Sequence, residues 1–259
     1  MTMSQIERRQ AILARLYRDG HVQVNQIARD LGVSVATVRR DLRELAGEGL
    51  LDLSHGGAWI KPNSDPSFMS KVVRNTEAKR AIGRLAASLV QDGDQIFLDS
   101  GTTCFHMAPF LRAKRQLCVI VNSIRIAQEL FTPGLRVLLL GGQYRPDRMD
   151  AVGPMAALSL DQLRGYKAFF GTDGLGMDFG PTATDIESAS IFGQAVRSAR
   201  QAILLADHSK FDAPALYRIV EWKAVSKLIT DTRPSDKWMA FFEQTGIEVL
   251  YPQSTDSGG

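Results

Sequence analysis

The sequence predicts an α/β chain of two domains: a small N-terminal winged helix-turn-helix, then a larger, doubly wound, mostly parallel sheet domain. Three observations predict it. Residues 1–60 read helix, short helix, Gly-containing turn and helix, then two short strands around Gly56-Gly57. The stretch Lys61–Phe68, KPNSDPSF, places Pro62 and Pro66 among Asn, Ser and Asp, a composition that breaks regular structure. Beyond it, near-continuous apolar runs alternate with helical patterns, as in a parallel sheet covered on both faces.

The first helix is predicted over Gln5–Arg18, with Leu13 and Leu16 on its apolar face, Ile12 at the flank and Asp19-Gly20 ending it. A second, short helix is predicted over Asn25–Leu31, presenting Ile27, Ala28 and Leu31. Gly32 permits a tight turn, and Ser34 caps a third helix predicted over Ser34–Leu50. Val35, Val38, Leu42 and Leu45 form one apolar stripe on that helix, and Arg40 points away from it. Ala36, Thr37, Arg43 and Glu44 flank Arg40, while Arg39 lies nearer the stripe, placed for a phosphate contact or an ion pair. An isolated helix with such a face is ordinarily a solvated basic helix. As the second helix of a helix-turn-helix it is the one that enters the DNA major groove, where Arg bonds a guanine edge and methyl groups touch thymine. Leu50–Ile60, LLDLSHGGAWI, reads as a wing whose His55 and Gly56 amide lie at phosphate height. The alternative for His55 is a plain exposed turn histidine. The candidate DNA contacts are Ser34, Ala36, Thr37, Arg39, Arg40, Arg43, His55 and Gly56.

Composition limits the alternatives. The chain has 259 residues, with 31 basic and 28 acidic side chains for a net charge of +3. That charge is too small to imply nucleic-acid binding by itself, so a DNA-binding reading rests on local placement. Cys104 and Cys118 carry no disulfide-framework spacing, and no Cys/His cluster exists. His21, His55, His106 and His208 lack metal-ligand spacing, and neither a GxSxG elbow nor a Walker motif is present. No metal site is therefore expected. The start, MTMSQIERRQ, lacks a signal-peptide core, and no apolar run reaches the roughly 18 residues a membrane span needs. A cytoplasmic protein with no membrane partner is the expectation.

In the second domain a helix is predicted over Glu77–Val90, with Ala81, Ile82, Leu85, Ala86, Leu89 and Val90 inward and Lys79, Arg80 and Arg84 outward. Strands are predicted at Ile96–Leu98, Leu117–Val121, Val137–Leu140, Ala168–Phe170, Ile203–Ala206, Leu228–Ile229 and Ile247–Leu250. Helices are predicted at Thr103–Leu111, Ile124–Leu130, Pro154–Leu163, Asp185–Ser198 and Ser235–Gln244. In this architecture ligands sit at the carboxyl ends of strands. There the chain places Asp99-Ser100-Gly101-Thr102-Thr103, Asn122-Ser123, Gly141-Gly142 followed by Arg145, Asp173-Gly174, and Asp207 to Lys210. Small hydroxyl residues and Gly at a helix N-terminus favour an anion. Taken singly each is weak; together they point to a small phosphorylated ligand.

These segments resemble a known family. "ERRQAILARL", "SVATVRRDLRELAGEGLL" and "HGGA" resemble the N-terminal domain of DeoR-family bacterial transcription regulators, and "DSGTT", "VNS", "LLGG", "GTDG" and "ADHSKF" resemble that family's effector-binding domain. The resemblance covers nearly the whole chain. One departure is Leu53, where the family commonly has an Arg two residues before the wing His. The second domain of the family is similar to the ribose-5-phosphate isomerase/CoA-transferase fold. Composition and resemblance together lead to the expectation of a winged helix over 1–60, a linker over 61–71, an effector-binding and oligomerisation domain over 72–253 and a disordered tail over 254–259. The resemblance implies operator DNA and a phosphorylated sugar as partners and no cofactor, with Ser100 to Thr103 on the phosphate and Asn122, Arg145, Asp173 and Lys210 around the sugar. One winged helix reads few base pairs, so a homodimer or homotetramer is expected. The function expected is repression of a carbohydrate catabolic operon. An activator with the same domains is one alternative; a sugar-phosphate isomerase is the other. Asp173 matches an acidic position of the isomerases' "DGADE", but Leu175-Gly176 stand where the next acidic pair belongs. The segment matching their "KGGG" is Phe179-Gly180-Pro181-Thr182, without Lys, and Glu187 lies too far from Asp207 to take the base's place. No catalytic residue is therefore expected.

Overall fold

The computed structural model describes residues 4–47, 51–60 and 66–253, and the chain divides into two compact units, the first of residues up to Arg74 with Pro146–Arg148, the second of the remainder. The expected helix end at 48–50, residues 61–65 of the expected linker and the tail 254–259 lie outside the described residues.

In the first unit, α1 (Gln5–Asp19) opens on a capping box: the Glu7 amide donates to Ser4 Oγ (3.3 Å) and the Ser4 amide to Glu7 Oε2 (2.8 Å). It ends where Gly20 turns left-handed. β1 (His21–Gln23) follows, then α2 (Val24–Leu31), α3 (Val35–Gly47), β2 (Leu51–Ser54), β3 (Gly57–Ile60) and α4 (Pro66–Val73). Ser34 caps α3, accepting from the Thr37 amide at 3.1 Å. The three strands pair antiparallel in the order β1-β3-β2, with His21 opposite Trp59. β1 was not expected, because His21–Gln23 has no pattern of its own and exists by pairing with the wing. Gly57 is required there: a Cβ would meet the Val22 carbonyl oxygen at 2.0 Å. Ile12, Leu16, Ile27, Val38, Leu42, Leu45 and Leu51 are buried in the core of this unit. Part of the expected linker is helical instead: α4 begins on Pro66, whose fixed φ suits a first helical turn, and buries Phe68.

The second unit begins with α5 (Thr76–Ser88). In order there follow β4 (Gln95–Leu98), α6 (Thr102–Leu111), β5 (Cys118–Val121), α7 (Ile124–Glu129), β6 (Arg136–Leu139), β7 (Gln143–Arg145), β8 (Asp150–Val152), α8 (Pro154–Asp161), β9 (Lys167–Gly171), β10 (Gly174–Gly176), β11 (Gly180–Ala183), α9 (Ile186–Ser198), β12 (Gln201–Leu205), β13 (Tyr217–Arg218), β14 (Lys227–Ile229), α10 (Asp236–Thr245) and β15 (Glu248–Leu250). Seven strands form one parallel sheet in the order β15-β14-β12-β9-β4-β5-β6. Every expected strand is in it. From β4 the chain winds one way through β5 and β6, then returns to β9 and winds the other way through β12, β14 and β15. β4 and β9 therefore flank the switch point.

The strand residues alternate between two cores. Ile96, Leu98, Val119 and Val121 pack with Ile82, Met107 and Ile126 of α5, α6 and α7. Phe97, Ile120, Ala168 and Phe170 pack with Leu160, Phe192 and Trp238 of α8, α9 and α10. The sheet is thus covered on both faces, which is why its strands read as continuous apolar runs.

One helix face differs from expectation. On α5 the buried residues are Lys79, Ile82, Gly83, Ala86 and Ala87. Lys79, expected outward, is only 3 % exposed, because the helix turns Gly83 towards the α6 backbone and Lys79 lies one turn before it on that face. Two small elements carry no pattern in the sequence: the β7–β8 hairpin, and an antiparallel sheet in the order β10-β11-β13.

Candidate functional site

In the first unit, α3 buries Val38, Leu42 and Leu45 and exposes Ser34, Ala36, Arg39, Arg40 and Arg43. Thr37 is half-buried, its hydroxyl 2.8 Å from Ser34 Oγ. Arg39 and Arg43 line a groove of ≈ 180 Å³ with Leu53, Ser54, Gly56 and Gly57, so two cations stand between α3 and the wing. An adjoining concavity of ≈ 370 Å³ is lined by His21, Gln23, Asn25, His55 and Trp59 among others. In it the His21 and Trp59 rings stack with centroids 4.9 Å apart, and Trp59 is 55 % exposed. This pair was absent from the expected set, since only the β1–β3 register brings it together.

The buried stripe of α3 also holds a carboxylate. Asp41 is fully buried and accepts from Arg8 Nε at 2.5 Å and from the second Arg8 nitrogen at 3.1 Å. Hydrogen bonding to Asp41 raises the Arg8 pKa above its ordinary value. Arg9 pairs with Glu44 one turn further on. These bonds run from α1 to α3 and fix how α3 is presented.

In the second unit all seven strands are parallel, so the carboxyl ends lie along one edge of the sheet. On neighbouring strands β12, β9, β4, β5 and β6 these ends carry, in turn, Asp207–Lys210, Gly171–Gly174, Asp99–Thr103, Asn122-Ser123 and Gly141-Gly142. The roles separate by burial and direction. Asp99 is fully buried and accepts from the Gly101 amide (2.8 Å) and the Gly171 amide (2.6 Å), stitching the β4–α6 turn to the end of β9. Burial pushes its pKa up, against hydrogen bonds from Cys104 and these two amides. Burial and the neighbouring Asp99 hold the Cys104 thiol well above its ordinary value. Thr102 and Thr103 form the first turn of α6, whose N–H groups have no acceptor within the helix.

Asn122 is fully buried and donates to the Ala151 carbonyl at 3.2 Å, while its Oδ1 has no hydrogen-bond partner among the described residues. Ser123 caps α7 through the Ile126 amide. Gly141 and Gly142 are exposed in the turn after β6. Ser100 donates to Asp150 Oδ2 at 3.0 Å. Asp150 is fully buried and is held by Arg145 through Nε (2.8 Å) and a terminal nitrogen (2.7 Å). Arg145 also donates to Asp185 (2.9 Å), Glu187 (3.2 Å) and Ser188 Oγ (3.2 Å). A guanidinium has five N–H donors, and these bonds engage them all. Asp173 accepts from the Thr184 amide and hydroxyl, both at 2.8 Å, bracing the β9–β10 turn. Gly174 is buried; a Cβ there would meet the Ala213 carbonyl oxygen at 1.7 Å, so it serves close packing. Lys210 ends a single 3₁₀ turn, half-buried, its charge near Asp207. Among the described residues no group of His, Cys, Asp and Glu is arranged to hold a metal ion, and no helix is long and apolar enough to cross a membrane.

Residues 8–62 match the model of the DeoR-like helix-turn-helix domain, and residues 74–232 match that of the DeoR C terminal sensor domain. The chain belongs to the DeoR family of transcription regulators. The DeoR-type sensor model alone spans more than half of it, and relatives agree over the full length. A "HTH-type transcriptional repressor GlcR" from Bacillus subtilis (strain 168) is 32% identical over 257 residues, 98% of this chain and 99% of that protein. A "Putative aga operon transcriptional repressor" from Escherichia coli O157:H7 is 31% identical over 250 residues, 94% of this chain and 93% of that protein. A solved ribose 5-phosphate isomerase from Methanocaldococcus jannaschii is similar at a TM-score of 0.39 and 17% identity, over 53% of this chain and 55% of that one. As a DeoR-family member the protein is a DNA-binding transcription regulator with a C-terminal sensor domain, and not an enzyme.

Proposed function

We propose that this regulator represses a carbohydrate catabolic operon in the cytoplasm, binds its operator as a homodimer or homotetramer, and is controlled by a phosphorylated sugar. The observation that carries the effector reading is the switch point between β4 and β9. The α6 N-terminus opens there, and Asn122 Oδ1, on the next strand end, is buried without a partner among the described residues. Free amides and a helix dipole favour a phosphate, and an unengaged carbonyl favours a sugar hydroxyl as its donor. Ser100 to Thr103 take the phosphate, Asn122 and Lys210 the sugar, and Asp99, Ser123 and Gly174 shape the walls. Asp173 holds the β9–β10 turn at the rim. Arg145 serves as a clamp on three carboxylates.

On the DNA side, Arg40 with Ala36 and Thr37 reads base edges in the major groove. Arg39, Arg43 and the His55-Gly56 wing turn face the phosphates. The groove cations Arg39 and Arg43 supply charge beside Leu53. The effector acts by linkage: it binds one arrangement of the oligomer better than the other, and that difference alone shifts operator occupancy.

The test is a thermal-shift screen of the full chain against sugar phosphates, with ribose 5-phosphate included and assayed for turnover. A binder raises the melting temperature by mass action and lowers operator affinity in a mobility-shift assay. A screen in which no sugar phosphate raises the melting temperature, or turnover of ribose 5-phosphate, would overturn this reading. Arg40→Ala is expected to lower discrimination between operator and random duplex by about 1–3 kcal/mol. Unchanged discrimination removes Arg40 from base reading.

A further inference from the structure

Asn75 stands where the chain first enters the sensor: residues up to Arg74 belong to the DNA-binding unit, and the sensor unit opens with Asn75. Its conformation is unusual. Asn75 occupies the N-cap position of α5 in the left-handed region, φ 53 and ψ 40, and its side chain makes no capping bond to that helix. An N-cap Asn ordinarily caps. Here the amide nitrogen instead reaches across the fold, donating to Asp207 Oδ1 at 3.0 Å and to Ser209 Oγ at 3.2 Å. Asp207 is 1% exposed, and the same Oδ1 also accepts from the Ser209 amide (3.0 Å) and hydroxyl (2.5 Å). The left-handed backbone and the forgone cap both cost stability, and what they secure is this tie to the turn that leads into Lys210.

We propose that Asn75 is the positioning residue that couples the sensor to DNA binding, by fastening the first residue of the sensor unit to the Asp207–Lys210 turn at the carboxyl end of β12. A ligand that reorders this turn changes the restraint on the chain where it enters from the DNA-binding unit. By reciprocity, operator binding reorders the same turn. The proposal rests on the sensor reading only in taking the 207–210 turn as part of the effector site.

Asn75→Gly separates side chain from backbone, because glycine accepts the left-handed conformation and lacks only the amide. An operator duplex is first obtained by repeated selection from random-sequence DNA. Amide hydrogen exchange is then followed in the full-length wild type and variant, with and without that duplex. In the wild type the operator changes exchange at residues 208–210 and in the first turn of α5. N75G is expected to melt as the wild type does and to bind the duplex within about threefold, while the exchange response at 208–210 disappears. A sugar phosphate that releases the wild type from the duplex is expected to need at least tenfold more to release N75G. The proposal is overturned if 208–210 respond to operator equally in both proteins or in neither. It is also overturned if N75G loses its melting transition or its operator binding, which would make Asn75 a residue of the fold alone. Should no sugar phosphate bind, the effector reading fails while the operator-to-turn response still decides the role of Asn75.

Discussion

Removing the Asp41 carboxylate is expected to cost the DNA-binding unit more than removing any exposed arginine of α3. Asp41 is fully buried, and the Arg8 side chain that forks onto it is 13% exposed. In Asp41→Ala the guanidinium of Arg8 keeps its charge and its position against α3 but loses both carboxylate bonds. Deleting one partner of a buried pair costs about 3–5 kcal/mol, because the other charge is left uncompensated. At roughly 0.05–0.15 kcal/mol per residue, a unit of this size holds only about 4–10 kcal/mol in all. The substitution therefore removes more than a quarter of its stability at the least. The assay is native-state hydrogen exchange of the α1 and α3 amides in the full chain, which reads the opening free energy of that unit directly. Operator and random DNA should weaken together, since the variant lowers the population of the folded reader and not its discrimination. Arg8→Met with Asp41→Leu should recover most of the loss, because an apolar pair leaves no charge behind. An opening free energy that falls by less than about 1 kcal/mol in Asp41→Ala, the range of exposed ion pairs, would refute the reasoning.

Two further outcomes follow from the sensor unit. Arg145→Met leaves Asp150, 1% exposed, without its cation, so the sensor's melting transition should fall by an amount corresponding to about 3 kcal/mol or more; a calorimetric scan showing a shift equivalent to under 1 kcal/mol would refute the reading of Arg145–Asp150 as a buried ion pair. The His208 ring bonds Asp231 at 2.7 Å, and that bond raises its pKa above the ordinary value, against a smaller opposing effect of burial. A folded-state pKa above the unfolded one means that the pair stabilises fully below the unfolded value of about 6.5 and that its contribution is lost as pH rises through the folded value. With the ring 55% exposed the effect stays below about 1 kcal/mol. Unfolding curves from pH 6 to 9 should show the wild type losing stability relative to His208→Gln; parallel curves would rule the pair out.

The sheet was legible because its inner strands lie between two helix layers, while the edge strands β6 and β15 are more exposed. A strand buried on both faces leaves a run such as Ile96–Leu98 or Ala168–Phe170 that needs no partner to be recognised. Elements that exist only through pairing were not legible. Gly174–Gly176 and Gly180–Ala183 read GLG and GPTA, with no alternation, and are strands because each hydrogen-bonds the other. His21–Gln23 is the same case in the wing. On α5 residue type misled: a lysine was set outward by its charge, whereas the face was decided by Gly83, where a Cβ would meet the His106 carbonyl oxygen of α6 at 2.7 Å.

At the candidate site the residue types were legible and their directions were not. Asp99 and Arg145 both stand at strand ends where a ligand is expected, and both are the kind of side chain that binds one. Direction assigns them otherwise. Both Asp99 oxygens are occupied by amides of Gly101 and Gly171, on either side of the switch point, so the residue sets the spacing between the β4 turn and the end of β9. A carboxylate facing the opening there would repel a phosphate; turned into the protein, it holds the turn from which the α6 N–H groups emerge. Arg145 makes the complementary point. A free guanidinium at that edge would attract any anion, but one engaged by three carboxylates adds little attraction of its own. Selection among anions is then left to the α6 N-terminus and to groups with a fixed direction, such as Asn122 Oδ1. The specificity of this sensor is accordingly expected to come from the shape and hydroxyl pattern of the sugar more than from the charge of its phosphate.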